Sequence, residues 1–258
     1  MGTTAHNPPD EHGQPPVLQA YLLGTVDFDA ALVLQKRLLY DISGNRNQAA
    51  LILCEHPPCI TVGRQGSRAH ILYEPEELEH RRWPIRWVNR GGGCMLHLPG
   101  QLAIYPIVPL DRVGLTLADY LERMGLALQD LLAEFHLPTP AQANGAGVFV
   151  GSRMVAGFGV AVRDWISYFG AYLNVQPTLD LFRRIQTHSP RLRGGLAEPM
   201  TSLERERRGP VRPSLVRERL LEHWQKRFEF ARVTVFSEHP FLEAYLRRQR
   251  QTEAAVSC

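Results

Sequence analysis

The stretch that most narrows the possible folds is Arg90-Gly91-Gly92-Gly93. It follows one short strand-like run, Ile85 to Asn89, and leads toward another, Gln101 to Val108, with no helix behind it. A dinucleotide-binding turn needs a helix N-terminus beside its glycines to receive phosphate, so this turn argues against a doubly wound parallel sheet. The rest of the chain agrees. Val17 to Leu23 and Ala50 to Cys54 read as strands, His56-Pro57-Pro58 breaks the second, and Ile60 to Gly63 resumes an extended path. Val148 to Val150 and Arg153 to Val155 flank Gly151-Ser152, a two-residue hairpin turn of type I′ or II′, and a sheet continues through Trp165 to Val175. Helices are few. Asp27 to Tyr40 carries Ala31, Leu34 and Leu38 on one side. Thr116 to Phe135 sets Leu117, Tyr120, Leu121, Met124, Leu128, Leu131, Leu132 and Phe135 in an apolar stripe behind an N-cap threonine. Pro213 opens a third helix, with Val216, Leu220, Leu221, Trp224 and Phe228 on its packing side, and a short strand follows at Arg232 to Phe236. The pattern predicts an α+β fold, with mixed sheets flanked by helices.

Length and composition fix the class. The chain has 258 residues, 44% apolar and 21% charged, enough for one core and one domain over 17–258. Residues 1–16 are rich in Pro, Gly and polar residues and read as a disordered tail. No run reaches the roughly 18 apolar residues of a membrane helix and no signal-peptide pattern opens the chain, so the expectation is a cytoplasmic protein away from membranes. A formal charge of +3 without a basic-aromatic run predicts no nucleic-acid partner. Cys54, Cys59, Cys94 and Cys258 lack the spacing of a zinc site or disulfide framework, so no metal is expected and the thiols should be free. Lysine occurs only at positions 36 and 226, so nearly all the basic side chains are arginines.

Three strings stand in order along the chain: Glu55-His56-Pro57-Pro58, then Thr61-Val62-Gly63-Arg64, then Arg90 to Leu102 with His97, Pro99, Gly100 and Gln101. Ala146 to Phe149, Val155 to Val162, Leu173-Asn174-Val175, Phe182 to Ile185 and Thr201-Ser202-Leu203 continue the series. This ordered set resembles the octanoyltransferases of lipoate synthesis, the lipoate-protein ligase B type. The resemblance implies a biotin/lipoate ligase-like domain, and it is carried by the ordered series rather than by any one motif. It implies transfer of an octanoyl group from acyl carrier protein to a lysine of a lipoyl domain, by a monomer without a cofactor. It also implies that Arg90, Gly91, Gly92, Gly93, His97, Pro99, Gly100 and Gln101 surround a medium-chain acyl group, with Arg153, Met154, Ala156, Phe169 and Gly170 completing the site. The physics is compatible: glycines let backbone N–H groups approach a carbonyl oxygen, and an arginine favours negative charge developing there.

The family's reaction uses a cysteine nucleophile and an activating lysine. Here Met154 stands at the lysine position beside Arg153, Phe169 at that of a family histidine, and no cysteine lies between Met95 and Ser257. The cysteine position falls at His188 counted forward or at Arg193 counted back; His188 and Ser189 read either as a replacement nucleophile site or as part of a solvated insertion. Two functional readings stand open. In one the nucleophile has moved to Cys94, with Arg90, Arg153 or His97 lowering its pKa; Cys94 reads equally as a small buried thiol. In the other the chain is a pseudoenzyme that binds an acyl or lipoyl group, or a carrier protein, without transfer.

Overall fold

The computed structural model describes residues 16–137, 146–187 and 200–256. Residues 1–15 of the expected tail, and His188, Ser189, Arg193 and Cys258, lie outside the described residues. Pro16, placed at the end of that tail by its composition, is buried where the first strand begins.

Among the described residues ten strands form two sheets: β1 (Val17–Thr25), β2 (Gln48–Glu55), β3 (Cys59–Val62), β4 (Ile85–Trp87), β5 (Cys94–His97), β6 (Gln101–Ile107), β7 (Gly147–Val150), β8 (Arg153–Arg163), β9 (Ile166–Asn174) and β10 (Val233–Phe236). The larger sheet has the order β10-β1-β2-β6-β9-β8-β7 and the smaller β4-β3-β5. β1 runs parallel to β10 and β2, whereas β2, β6, β9, β8 and β7 pair antiparallel in turn. Each sheet is therefore connected as expected of a mixed fold.

Among the described residues six α-helices flank them: α1 (Phe28–Gly44), α2 (Pro75–Arg81), α3 (Leu117–Glu134), α4 (Leu203–Arg207), α5 (Pro213–Phe228) and α6 (Pro240–Val256). α1 starts where the Asp27 carboxylate accepts from the amides of Asp29 and Ala30. At the start of α3, Thr116 and Asp119 satisfy each other's backbone amides in a capping box. Alternation along the large sheet sends Leu51, Leu53, Leu102 and Ile104 into one core layer with α3 and α5. Ala50, Ile52, Ala103 and Tyr105 enter the opposite layer with α1. The α5 side chains expected to pack, Val216, Leu220, Leu221, Trp224 and Phe228, are its buried ones.

Four elements differ from the sequence expectation. β5 intervenes between the glycine turn and β6, and α2, α4 and α6 were not expected. The hairpin at Gly151-Ser152 forms with Gly151 at φ +61 and no left-handed residue after it, which suits type II′.

Candidate functional site

The small sheet packs with its two faces on different partners. Ile60, Val62, Cys94 and Leu96 enter an apolar cluster with Leu78, Trp83, Phe182 and Ile185. Cys59 and Met95 instead join the α1 layer of the large sheet. The intervening positions Thr61 and His97 are buried polar residues on this second face. The site is thus built between two sheets, with the glycine turn closing one end.

The turn is held on both sides by backbone. The amides of Gly63, Arg64 and Gln65 donate to the carbonyls of Gly93, Arg90 and Gly92 at 3.1, 3.0 and 3.0 Å. Gly91 donates to the Val160 carbonyl of β8 at 2.8 Å. Glycine is required for this approach: a methyl at Gly63 would lie 2.5 Å from the Gly92 carbonyl oxygen, and one at Gly159 would lie 2.8 Å from Arg90 Cδ. Gly91 and Gly92 stay partly exposed, so the turn reaches solvent. The Gly92 and Gly93 amides find no acceptor among the described residues.

Arg90 is a buried residue, 2% exposed, which the expectation of a simple ligand contact did not anticipate. Its Nη1 donates to the Gly91 carbonyl at 2.9 Å, and its Nη2 to the Thr61 Oγ1 and carbonyl at 2.8 and 3.2 Å. Its Nε–H is buried without a partner. The guanidinium carbon lies 5.9 Å from the centre of the Tyr172 ring.

His97 stacks on Phe28 and meets Tyr172 edge-on at a ring separation of 4.5 Å. Burial, reinforced by His56 and Arg90, holds its pKa well below the ordinary histidine value, so the ring is neutral. Its Nε2 lies 2.9 Å from Thr61 Oγ1 and its Nδ1 3.1 Å from Gln101 Oε1. Pro99 and Gly100 form the turn that delivers Gln101. The Gly100 amide donates to Glu55 at 2.8 Å, and its carbonyl receives the amides of Val175 and Gln176.

The remaining candidates scatter. Arg153 makes a two-point ion pair with Glu206, both bonds at 2.8 Å, which engages its Nε and Nη2. Met154 is buried, and its carbonyl receives the Thr201 amide at 2.9 Å. Ala156 enters the α3 and α5 layer, on the opposite face of the sheet from Met95 and Tyr172. Phe169 packs in the α1 layer with φ +55, its amide donating to Gln35 at 2.8 Å. Gly170 sits so close to β6 that a methyl there would lie 2.1 Å from the Ile104 carbonyl oxygen.

Cys94 lies on the apolar face of β5, 1% exposed, with its thiol donating to the Ser67 carbonyl at 3.4 Å. Burial pushes its pKa up, against weaker opposing effects that include Arg90 and Arg68. An activated nucleophile requires the reverse. Cys59 is pushed up to about 12, also by burial. No three His, Cys, Asp or Glu side chains among the described residues are grouped to hold a metal ion.

Residues 27–225 match the family model described as the lipoyl protein ligase A/B catalytic domain. The chain belongs to this family. Relatives named octanoyltransferase include one from Syntrophobacter fumaroxidans, 35% identical over 211 residues, covering 80% of this chain and 89% of the relative. Another, from Geotalea uraniireducens, is 35% identical over 198 residues and covers 77% and 87%. A structure of lipoate-protein ligase A bound with ATP superposes with a TM-score of 0.71 at 15% identity, covering 91% of this chain and 93% of that one. A putative lipoate protein ligase from Thermoplasma acidophilum with bound lipoic acid gives 0.65 at 15%, covering 91% and 93%. These two establish the shared fold, a mixed α/β domain of the lipoate ligase type. No helix among the described residues is long and apolar enough to cross a membrane.

Thr61, Asn174 and Thr201 stand within the family strings, and no role was expected of them. For Thr61 and Asn174 a signal was present: each is a polar residue between apolar neighbours, Ile60 and Val62 or Leu173 and Val175, and such a residue must find partners when buried.

Proposed function

We propose that this chain handles the octanoyl group of lipoate synthesis, receiving it as the thioester of an acyl carrier protein and passing it to a lysine of a lipoyl domain. The observation that carries this reading is a cluster of unused donors at one turn: the Gly92 and Gly93 amides and the Arg90 Nε–H. The Arg90 Nε–H is buried, and a buried donor left unpaired costs about 1–3 kcal/mol, so it favours an incoming oxygen acceptor beside the partly exposed turn. An acyl carbonyl supplies one, and its oxygen gains negative charge as the carbonyl carbon is attacked, when donors of this kind stabilise it most.

With Cys94 held as a thiol and Met154 at the position of the family lysine, the transfer is written as one displacement. The recipient lysine nitrogen bonds to the acyl carbon, the carbon–sulfur bond breaks, and the proton shed by the amine ends on the departing thiol. The formal charge of +3 suits an acidic carrier, chiefly by speeding encounter. A second reading, acyl binding without transfer, draws on the same two positions, because neither offers the usual activated nucleophile.

Octanoyl-carrier and lipoyl domain incubated with the protein, followed by mass spectrometry of the lipoyl lysine, separates the two. Octanoyl-lysine that forms with the wild type and with Cys94→Ser, and is lost with Arg90→Gln, supports direct transfer. Binding of the octanoyl-carrier with no octanoyl-lysine supports the second reading.

A further inference from the structure

A continuous hydrogen-bonded chain runs through the buried space between the sheets, and its proton positions follow from its two ends. Gln101 Nε2 lies 3.3 Å from the Leu96 carbonyl and 2.9 Å from Asn174 Oδ1, and Asn174 Nδ2 lies 3.1 Å from the Thr201 carbonyl. A backbone carbonyl only accepts, so Leu96 and Thr201 fix which way both amides face. Gln101 Oε1 is then an acceptor, and His97 Nδ1 must carry the proton donated to it. His97 is neutral, so Nε2 holds a lone pair and Thr61 Oγ1–H donates to it. The Thr61 oxygen is left with lone pairs only, and one of them receives Arg90 Nη2. Every bond from Arg90 to Thr201 therefore points the same way, an arrangement in which each bond polarises the next.

We infer that Gln101 and Asn174 are positioning residues: they hold His97 as the Nδ1–H tautomer, and through Thr61 they fix the Arg90 guanidinium so that its unpartnered Nε–H keeps one direction. The chain also reaches the surface. Thr201 Oγ1 donates to Glu206, which is bound to Arg153, so α4 is tied to the end of the chain remote from the glycine turn. The opposite tautomer would leave the Thr61 hydroxyl proton without this acceptor and set His97 Nδ1 lone pair against Gln101 Oε1. The consequence for acyl transfer rests on the function proposed above; the tautomer does not.

The test uses the full chain labelled with 15N. Long-range 1H–15N spectra of the substrate-free protein are expected to show His97 protonated at Nδ1, with a sharp, slowly exchanging Arg90 Nε–H signal. Gln101→Leu removes the acceptor and is expected to broaden the Arg90 signal and lower kcat for octanoyl transfer about tenfold, with KM within about twofold, because the donor matters most as charge develops. Gln101→Glu keeps an acceptor toward Nδ1 but sets its second oxygen against the Leu96 carbonyl and Asn174 Oδ1, so His97 Nδ1 should stay protonated while the Arg90 signal broadens. Wild-type His97 protonated at Nε2 would overturn the inference, as would an unchanged Arg90 signal in Gln101→Leu. Asn174→Leu gives a second variant should Gln101→Leu not fold, with the same Arg90 broadening expected. Absence of transfer by the wild type, with the Nδ1–H tautomer and both variant spectra as expected, would defeat the functional reading and leave the positioning intact.

Discussion

Gly63→Ala is the most exacting perturbation of the turn. The new methyl would lie 2.5 Å from the Gly92 carbonyl oxygen and 3.0 Å from that of Gly91, with Arg90 Nη1 at 2.9 Å. The first distance is roughly 1 Å closer than non-bonded atoms settle. Backbone rather than a flexible side chain stands in the way, so the 63–66 loop and the glycine turn must separate. Separation stretches the three bonds from the amides of Gly63, Arg64 and Gln65. At about 1 kcal/mol each, their loss puts the destabilisation at about 3 kcal/mol. Gly44→Ala is the control, because a methyl there meets nothing within 4 Å near the end of α1, and it should be neutral or slightly stabilising. Urea unfolding followed by circular dichroism gives both stabilities. A Gly63→Ala midpoint equal to that of Gly44→Ala would refute the close-packed turn.

Burial lowers the His56 pKa from 6.5 to about 4, partly offset by its bond to the Val26 carbonyl. The unfolded chain therefore binds this proton first as pH falls, and stability should drop between pH 6.5 and 4 by up to about 3 kcal/mol. His56→Gln should flatten that slope in urea titrations across the window; an equal slope in both proteins would exclude His56 as its source. Cys94 should resist iodoacetamide at pH 8 in the native protein and react after unfolding, with peptide mapping as the readout. Rapid labelling of native Cys94 would place it among activated thiols and revive the migrated nucleophile.

Much of the fold was legible because local signals agreed with long-range packing. Thr116 began α3 with the cap its sequence offered, and Pro213 opened α5 with the expected buried face. β5 was not legible. Met95 faces the large sheet while Cys94 and Leu96 face the other cluster, so both sides are buried and no alternation survives. α4 has five mostly charged residues, and it is fixed by Ser202 capping Arg205 and by Glu206 reaching Arg153 and Thr201, partners distant in sequence or preceding the helix. In the site, the glycines announced a close approach, but the approaching groups were hidden. Nothing local to Arg90 indicates that Thr61, 29 residues earlier, receives its guanidinium. Ala156 was grouped with the site by the resemblance; the irregularity where β8 meets β7, between Val148 and Phe149, accompanies a facing that the sequence does not reveal.

The central claim is that the turn presents unused donors to an acyl carbonyl, and amide NMR reads those donors directly. On titrating octanoyl-carrier into the 15N-labelled protein, with unacylated carrier as reference, the Gly92 and Gly93 amides and the Arg90 Nε–H should shift downfield together and saturate. Shifts confined to other residues at saturation, with these three signals unmoved, would contradict it.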